Sequence, residues 1–175
     1  EIDALGGEMG RNADKSLLQI KMLNSAKGPA VRALRAQADK VMYPKNMIET
    51  LTNTVNLEIK EGIVEELIIE NDKIKGVKLE DGLCINGKTV ILTTGTYLSS
   101  CIMWGSHSEP AGPDGENTNY GLSKSLRDLG FELLRLKTGT PPRIYTDTID
   151  FSQAVLEEGT NLPLTFSYET DPSEM

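Results

Sequence analysis

The stretch IVEELIIENDKIKGVKLEDGLCINGKTVILTTG, residues 63–95, decides the fold class. Asn71-Asp72 and Asp81-Gly82 separate three short apolar-rich segments, and such turn residues predict the hairpins of an antiparallel β-meander. The last part, TVILTTG (89–95), is a continuous apolar run closed by a glycine, which predicts a strand buried on both faces. A meander that leads into a buried strand indicates an α/β fold with an inserted antiparallel piece.

The sequence before this stretch predicts a helix broken by glycines over 3–18, a short strand over 17–23 and a long helix over 27–53. Gly28-Pro29 suits the start of that long helix, and Pro44 is expected to kink or restart it. A helix of this length can serve as the crossover between two parallel strands. The remaining expectations are strands at 56–60, 131–137 and 162–168, a helix at 121–129 and a long loop at 96–120.

Charge is distributed unevenly along the 175 residues. The chain holds 18 Lys and Arg against 26 Asp and Glu, a net charge of −8. Seven of the acids and none of the bases follow Arg143, so residues 1–143 have a net charge of only −1. The acidity belongs to the C-terminal segment, and a basic surface on the main body is compatible with the composition.

The composition excludes several classes of protein. Hydrophobic residues at 38% and charged residues at 25% are typical of a globular domain rather than of a disordered chain. No apolar run reaches the ~18 residues of a membrane span, so we expect no membrane contact. Cys84 and Cys101 have neither the spacing of a metal site nor the number that a disulfide framework needs. The sequence therefore predicts a metal-free protein of the reducing cytoplasm.

Thr93, Thr94 and Gly95 form the first candidate site. In open α/β sheets, ligands bind beyond the carboxyl ends of the strands. A glycine there lets a flat cofactor approach the backbone, and the threonine hydroxyls can hydrogen-bond a nucleotide. The alternative is a strand that merely ends in a tight turn.

The segment SAKGPAVRALRAQADK, residues 25–40, provides a second candidate. Arg32 and Arg35 lie three residues apart, with Gln37 close by in the sequence. On the predicted helix, such a cluster can grip phosphate or polar ring atoms. The alternative is an ordinary solvated helix face.

The third candidate is the loop within LLRLKTGTPPRIYTDTIDF, residues 133–151. Lys137 and Arg143 bracket the sequence Thr-Gly-Thr-Pro-Pro, whose prolines stiffen the chain. A rigid loop with a cation at each end is typical of an anion or RNA contact, or else of a structural turn.

Taken together, these segments resemble one family, the GidA or MnmG family. The similarity extends in consistent order from Glu1 to about Ser152. Its specific parts are SAKGPAVRALRAQADK and LKTGTPPRI, because neither is a general fold motif. The matching segments are EIDALGGEMG (1–10), MLNSAKGPAVRALRAQADKVMY (22–43), IVEELIIENDKIKGV (63–77), VILTTGTYL (90–98) and LRLKTGTPPRI…TIDFS (134–152).

The resemblance implies an FAD-dependent enzyme that adds a carboxymethylaminomethyl group to carbon 5 of the tRNA wobble uridine. It implies a cytoplasmic homodimer that acts on tRNA with the GTPase partner MnmE, and with NADH and methylenetetrahydrofolate as co-substrates. The implied fold is part of a two-dinucleotide-binding-domain, Rossmann-like FAD fold with an antiparallel β-meander insertion. Residues 1–152 would be a partial FAD-binding domain without its N-terminal βαβ unit, and 153–175 the start of the following inserted domain or a linker.

The resemblance also implies roles for individual residues. Val64 matches a position whose backbone contacts FAD, Asn119 matches another FAD contact, and Thr93, Thr94 and Gly95 match the strand end of the dinucleotide site. The family's glycine-rich phosphate loop and upstream cysteine do not occur in the sequence, so we expect the catalytic residues outside it and the chain alone to be inactive. Candidates on the flavin and substrate side are Arg32, Arg35, Gln37, Asp39, Lys137, Thr138, Gly139, Thr140 and Arg143.

Two alternatives remain open on the sequence. The first is the related folate- and FAD-dependent tRNA methyltransferase or another flavin oxidoreductase, against which the LKTGTPPR loop argues. The second is a non-catalytic RNA-binding module, whose binding would be sensitive to salt and independent of flavin. Three Phe, five Tyr and one Trp are few for a base-stacking platform, which weakens this second alternative.

Overall fold

The computed structural model describes residues 2–174 and divides the chain into two compact units. The first unit, here called the hairpin unit, contains the residues up to Ile59 together with those from Arg143 onwards. The second, the meander unit, is Lys60–Pro142. The predicted boundary at residue 152 refers to the domains of the resembling family and stays a prediction.

The hairpin unit is built on two antiparallel strands with a short helix on either side in the sequence. A single 3-10 turn, Asp3–Leu5, precedes the first helix, so the predicted helix over 3–18 is shorter than expected. The strand predicted over 17–23 is confirmed. The elements are α1 (Met9–Lys15), β1 (Leu17–Leu23), β2 (Ala33–Ala38) and α2 (Met42–Thr52).

The predicted helix over 27–53 is wrong in its first half. Pro29–Val31 forms only one 3-10 turn, and Ala33–Ala38 is strand β2, paired with β1 along its length. The alternation of half-buried Leu34 and Ala36 with exposed residues follows the two-residue period of a strand. Cross-strand pairing has overridden the helix propensity of this alanine-rich segment. The crossover helix inferred from the same spacing is therefore absent from this segment.

Helix α2 begins at Met42, which places Pro44 in its first turn. Proline is tolerated there because the first N–H groups of a helix have no partner within it. The second half of the predicted helix is confirmed as α2, whereas Pro44 neither kinks nor restarts a longer helix, because strand β2 precedes α2.

The C-terminal segment packs back on this hairpin. The backbone N–H of Thr160 donates to the Ile20 carbonyl at 2.9 Å, and the N–H of Met22 donates to Thr160 Oγ1 at 3.0 Å. Further along, the buried carboxylate of Asp14 accepts bonds from the backbone N–H groups of Phe166 and Ser167. The strand predicted over 162–168 is wrong, because these residues follow an irregular path along α1.

The meander unit confirms the predicted antiparallel meander. Its sheet has the order β3-β4-β5, formed by Val64–Glu70, Lys73–Leu79 and Cys84–Asn86. Asn71 and Asp72 both have positive φ, 52° and 58°, as the two central residues of a type I′ hairpin turn require. Local turn chemistry therefore sets the register of this sheet.

Helix α3 (Gly121–Asp128) confirms the helix predicted over 121–129 and packs on β3. Leu122 and Leu126 are buried on its inner face. Ser125, on the same helix, accepts a bond from the Leu67 N–H of β3 through its Oγ at 3.0 Å. The long loop before α3 holds a short hairpin that the sequence did not predict, made of β6 (Ile102–Trp104) and β7 (His107–Glu109).

Three further predicted strands are absent: the residues 56–60, 89–95 and 131–137 have no strand conformation. Ile91 and Leu136 are 85% and 88% exposed, so neither segment is buried on two faces. A buried strand needs a neighbour on each side, and in the described part of the chain no strand pairs with either segment. The mixed α/β class with an antiparallel meander is confirmed. The paired strands of residues 2–174 are all antiparallel, however, so these residues contain no parallel sheet. Their only parallel contact is one bridge between Leu98 and Asn119.

No helix within residues 2–174 is both long and apolar enough to cross a membrane. The same residues contain no group of three or more His, Cys, Asp or Glu side chains arranged to hold a metal ion.

Candidate functional site

Asn119 lies at a junction of three segments of the meander unit. Its Nδ2 donates to the Val64 carbonyl at 2.8 Å, and its Oδ1 accepts from the Leu122 N–H at 3.0 Å in the first turn of α3. Its backbone N–H donates to the Tyr97 carbonyl at 2.8 Å, and its carbonyl accepts from the Ser99 N–H at 2.9 Å. One residue therefore ties the start of β3, the start of α3 and the loop after residue 95 to each other.

The Thr93-Thr94-Gly95 turn joins this junction through Tyr97. The N–H of Tyr97 donates to the Thr94 carbonyl at 3.2 Å, while its own carbonyl accepts from Asn119. Gly95 has a φ of +53°, and an added Cβ would meet only the Tyr97 ring at 3.7 Å. The glycine is thus required by its left-handed backbone rather than by crowding. The structure thus connects Val64, Thr94 and Gly95 with Asn119, whereas Thr93 is the exposed residue that precedes Thr94.

A second set of hydrogen bonds reinforces the junction from the neighbouring residues. Thr118 Oγ1 donates to the Tyr97 carbonyl at 2.9 Å and lies 3.0 Å from Ser100 Oγ. Ser100 Oγ in turn donates to the Ala111 carbonyl at 2.9 Å. Sequence reasoning missed these residues, although small hydroxyl side chains at both ends of a long loop are the signal that would have found them.

The junction has polar groups that are suited to contact one side of a nucleotide. The Val64 carbonyl has a second lone pair beyond the one that Asn119 uses, and the residues Thr93 and Gly95 are exposed. Gly112 is buried beside the junction and is required by crowding, because a Cβ there would lie 2.8 Å from the Tyr97 ring. Backbone polar groups, a hydroxyl and close backbone approach fit the adenosine part of a dinucleotide. Within residues 2–174, no strand leads into a glycine-rich loop and a helix that would hold its pyrophosphate.

The candidates of the hairpin unit are arranged differently from the prediction. Arg35 and Gln37 lie on the exposed face of β2 rather than on a helix, since residues two apart in a strand share a face. Arg32 lies just before β2 and donates from Nη2 to the Ser25 carbonyl at 3.4 Å. Arg35 and Gln37 are nevertheless neighbours on one face, because they are two residues apart in a strand.

Asp39 has a structural role at the start of α2. Its Oδ1 accepts from the backbone N–H groups of Met42 at 2.9 Å and Val41 at 2.7 Å. These bonds stabilise the ionised carboxylate and so lower the pKa of Asp39, the bond from Met42 having the larger effect. A carboxylate at the first turn of a helix is also favoured by the helix dipole. Arg35 and Asp39 do not share a helix, because Arg35 lies on β2 and Asp39 precedes α2.

The loop that the sequence singled out between Lys137 and Arg143 is exposed throughout. Gly139 has open space where a Cβ would be, so nothing packs against the loop at this point. Arg135 attaches the preceding residues to the long loop through a 2.8 Å bond from Nη1 to the Ser99 carbonyl. The candidates Lys137, Thr138, Gly139 and Thr140 and the two prolines after them belong to the meander unit, and Arg143 is the first residue of the returning part of the hairpin unit.

The family model described as glucose inhibited division protein A matches residues 1–175, the whole chain. The chain belongs to the GidA family. Similar curated proteins include the tRNA uridine 5-carboxymethylaminomethyl modification enzyme MnmG of Acholeplasma laidlawii, 54% identical over 175 residues. The enzyme of the same name from Bacillus subtilis is 52% identical over 170 residues, or 97% of the chain. The chain spans 28% of the first of these relatives and 27% of the second.

Solved structures agree with this family assignment. Form I crystals of Aquifex aeolicus GidA match 98% of the chain and 28% of that protein, with a TM-score of 0.89 and 44% identity. The GidA-related protein of Thermus thermophilus covers 56% of the chain with a TM-score of 0.52 and 22% identity, a likeness of fold alone. The resemblance inferred from SAKGPAVRALRAQADK and LKTGTPPRI is thereby confirmed. The roles of the individual GidA residues stay predictions.

Proposed function

We propose that this chain is the part of an FAD-dependent tRNA-modifying enzyme that contacts the adenosine side of the cofactor. The enzyme adds a carboxymethylaminomethyl group to carbon 5 of the wobble uridine. The names of the curated relatives support the reaction, and the junction at Asn119 supports the place of the cofactor. That junction is the observation that carries the proposal, because it connects the FAD-contact candidates Val64, Thr94, Gly95 and Asn119 within one unit.

Each group at the junction has a defined task in this proposal. Val64 and the Thr94-Gly95 turn present backbone groups to the adenosine, and Asn119 fixes their separation by bonding to Val64 and to Tyr97, which holds the turn. Asn119 is a positioning residue, since its amide is already committed to Val64 and α3. When bound, FAD supplies the redox chemistry that moves the folate-borne carbon to the uracil ring. No catalytic residue is assigned to the chain.

The remaining parts of the proposal concern partners. They are a homodimer in the cytoplasm, tRNA as substrate, MnmE as the GTPase partner, and NADH and methylenetetrahydrofolate as co-substrates. Lys137 and Arg143 support the tRNA contact, because both are exposed cations on a proline-stiffened loop. We also propose the division into a partial FAD-binding domain over 1–152 and a following domain or linker over 153–175.

The test uses the protein in its full natural length. It is purified and its visible absorbance is recorded before and after incubation with FAD. We expect a flavin spectrum, a lower FAD affinity for Asn119→Ala, and an unchanged affinity for Asn117→Ala, which alters an exposed asparagine two residues away. Modification of tRNA with the GTPase partner is then assayed with the FAD-loaded protein. A colourless protein that takes up no FAD contradicts the proposal and favours the RNA-binding module.

A further inference from the structure

Two cations face each other across the β1–β2 hairpin. Lys21 and Arg35 are direct partners in the register of the two strands, and Gln19 and Gln37 form the next pair on the same face. Directly opposed residues of an antiparallel pair lie about 5 Å apart at Cβ, and like charges there are destabilising. An anion that contacts both side chains would therefore stabilise the hairpin.

Glu157 of the C-terminal segment provides that anion. Its carboxylate contacts Lys21 Nζ, and its backbone carbonyl accepts a 3.3 Å bond from Gln19 Nε2. The hydrogen bond and charge of Lys21, followed by the charge of Arg35, lower the pKa of Glu157. One carboxylate thus lies in the field of both cations.

The attachment of Glu157 differs from that of the residues after it. Gly159 and Thr160 lie flat on β1, and a Cβ on Gly159 would come within 3.0 Å of the Ile20 carbonyl oxygen. Before Glu157 the chain is open, because Val155 and Leu156 are 93% and 83% exposed. The Glu157 side chain itself is 75% exposed, whereas that of Lys21 is only 25% exposed. Glu157 can therefore leave the cations while Thr160 stays on β1.

We propose that Lys21 and Arg35 form a phosphate-binding site for the tRNA backbone, which Glu157 occupies within the molecule until RNA displaces it. The inference rests on the proposed function, which supplies tRNA as the ligand. An arginine with a lysine beside it and two amide side chains in line are the donors that a phosphate takes. In this arrangement the acidic C-terminal segment competes with RNA instead of merely repelling it.

The experiment measures tRNA affinity of the full-length protein at several salt concentrations. Glu157→Gln removes the competing charge, and Glu158→Gln is the matched control, because it removes the same charge from the next exposed residue. We expect Glu157→Gln to tighten binding about two- to five-fold, in keeping with the modest strength of exposed ion pairs. The salt dependence is expected to become steeper by up to about one unit, as for one more neutralised phosphate. Glu158→Gln is expected to show a smaller change in affinity and the same salt dependence as the wild type.

A second arm tests whether Lys21 and Arg35 carry the effect. The Lys21→Gln/Arg35→Gln double variant is expected to bind tRNA more weakly with a flatter salt dependence, and Glu157→Gln should add nothing to it. Its melting temperature shows whether it is folded; if it is not, the comparison of Glu157→Gln with Glu158→Gln decides alone. FAD also carries phosphate groups. Titration of the same variants with FAD therefore shows whether the site binds the phosphate of the cofactor or that of the tRNA backbone.

The outcomes separate the inference from the proposed function. A wild-type protein that binds no tRNA contradicts both the inference and the proposed function. Wild-type binding with equal affinities for Glu157→Gln and Glu158→Gln overturns only the inference and leaves Glu157 as a structural ion pair. Tighter FAD binding without tighter tRNA binding also overturns it, because the phosphate would then belong to the cofactor.

Discussion

The junction at Asn119 and the loop from Lys137 to Arg143 both contain candidate site residues, but they are built in opposite ways. At the junction, Val64, Tyr97 and Asn119 use their polar groups on one another within 3 Å. In the loop, every residue is exposed and Gly139 has no neighbour where its Cβ would be. The first region is therefore held in place by its own hydrogen bonds, whereas the second leaves its two cations exposed to solvent. Substitutions at the two regions should therefore affect stability and binding in opposite proportions.

The largest effect on stability is expected from a glycine substitution at Gly76, with Gly139 as the matched control. Gly76 has a φ of +151°, and a Cβ there would lie 2.0 Å from the Ile85 carbonyl oxygen. Gly76→Ala should lower the free energy of unfolding by about 2–5 kcal/mol, through strain and overpacking together. Gly139→Ala should change it by less than about 0.5 kcal/mol, as at other open surface positions. Urea unfolding of the two variants measures the contrast, and equal losses would contradict it.

The next effect concerns Asn119 itself. Asn119→Ala removes the bond to Val64 and the bond that caps α3, which should cost about 2–4 kcal/mol. Asn119→Asp keeps the cap acceptor but cannot donate to Val64, so its loss should be intermediate. Thermal unfolding compares both variants with the exposed-site control Asn117→Ala. A full loss with Asn119→Asp would assign the whole effect to the Val64 bond.

At the loop, the expected change is in binding rather than in stability. Lys137→Gln and Arg143→Gln should each weaken tRNA binding for all tRNA sequences alike and reduce the salt slope by about one. The free energy of unfolding should stay within about 0.5 kcal/mol of the wild type. Filter binding across a salt series, with unfolding curves in parallel, tests both statements. A loss of stability without a change in slope would make the loop a structural turn.

The smallest effect is a pH dependence at Asp39. The pKa of Asp39 is lowered by the N–H groups of Met42 and Val41, so its stabilising contribution is present above the ordinary carboxyl pKa. That contribution is lost as the pH falls through the lowered pKa. Asp39→Asn should therefore be less stable than the wild type at pH 7 and approach it as the pH falls through that range. Melting temperatures over this pH range give the comparison, and a gap that stays constant would contradict it.

Prediction from the sequence succeeded where the signal lies within a few residues. The turn at Asn71-Asp72 and the amphipathic segment of α3 were correctly identified, because turn chemistry and helical period are local. It failed at residues 33–38, where apolar residues suit a helix and a strand almost equally. Pairing with β1 decided the outcome, and that pairing is formed by residues ten or more positions away.

The candidate site shows the same division. The family resemblance placed Val64, Thr94 and Asn119 in one function, although nothing in their spacing predicts that they meet. Tyr97 and Thr118, which connect them, carry no motif and were missed. The contact of Glu157 with Lys21 joins residues more than a hundred positions apart, so no local sequence pattern predicts it.

The sequence by itself determined the family, the meander with its turns, helix α3 and the uneven distribution of charge. Each of these features depends on the local composition of a segment or on long stretches that match the family. Only the tertiary structure decided that Ala33–Ala38 is a strand, that Asn119 joins three segments, and that an acid from the C-terminal segment lies on Lys21. The physical reason is that a strand, a buried amide and an ion pair are completed by partners distant in the chain, and their free energy exists only once the chain has brought those partners together.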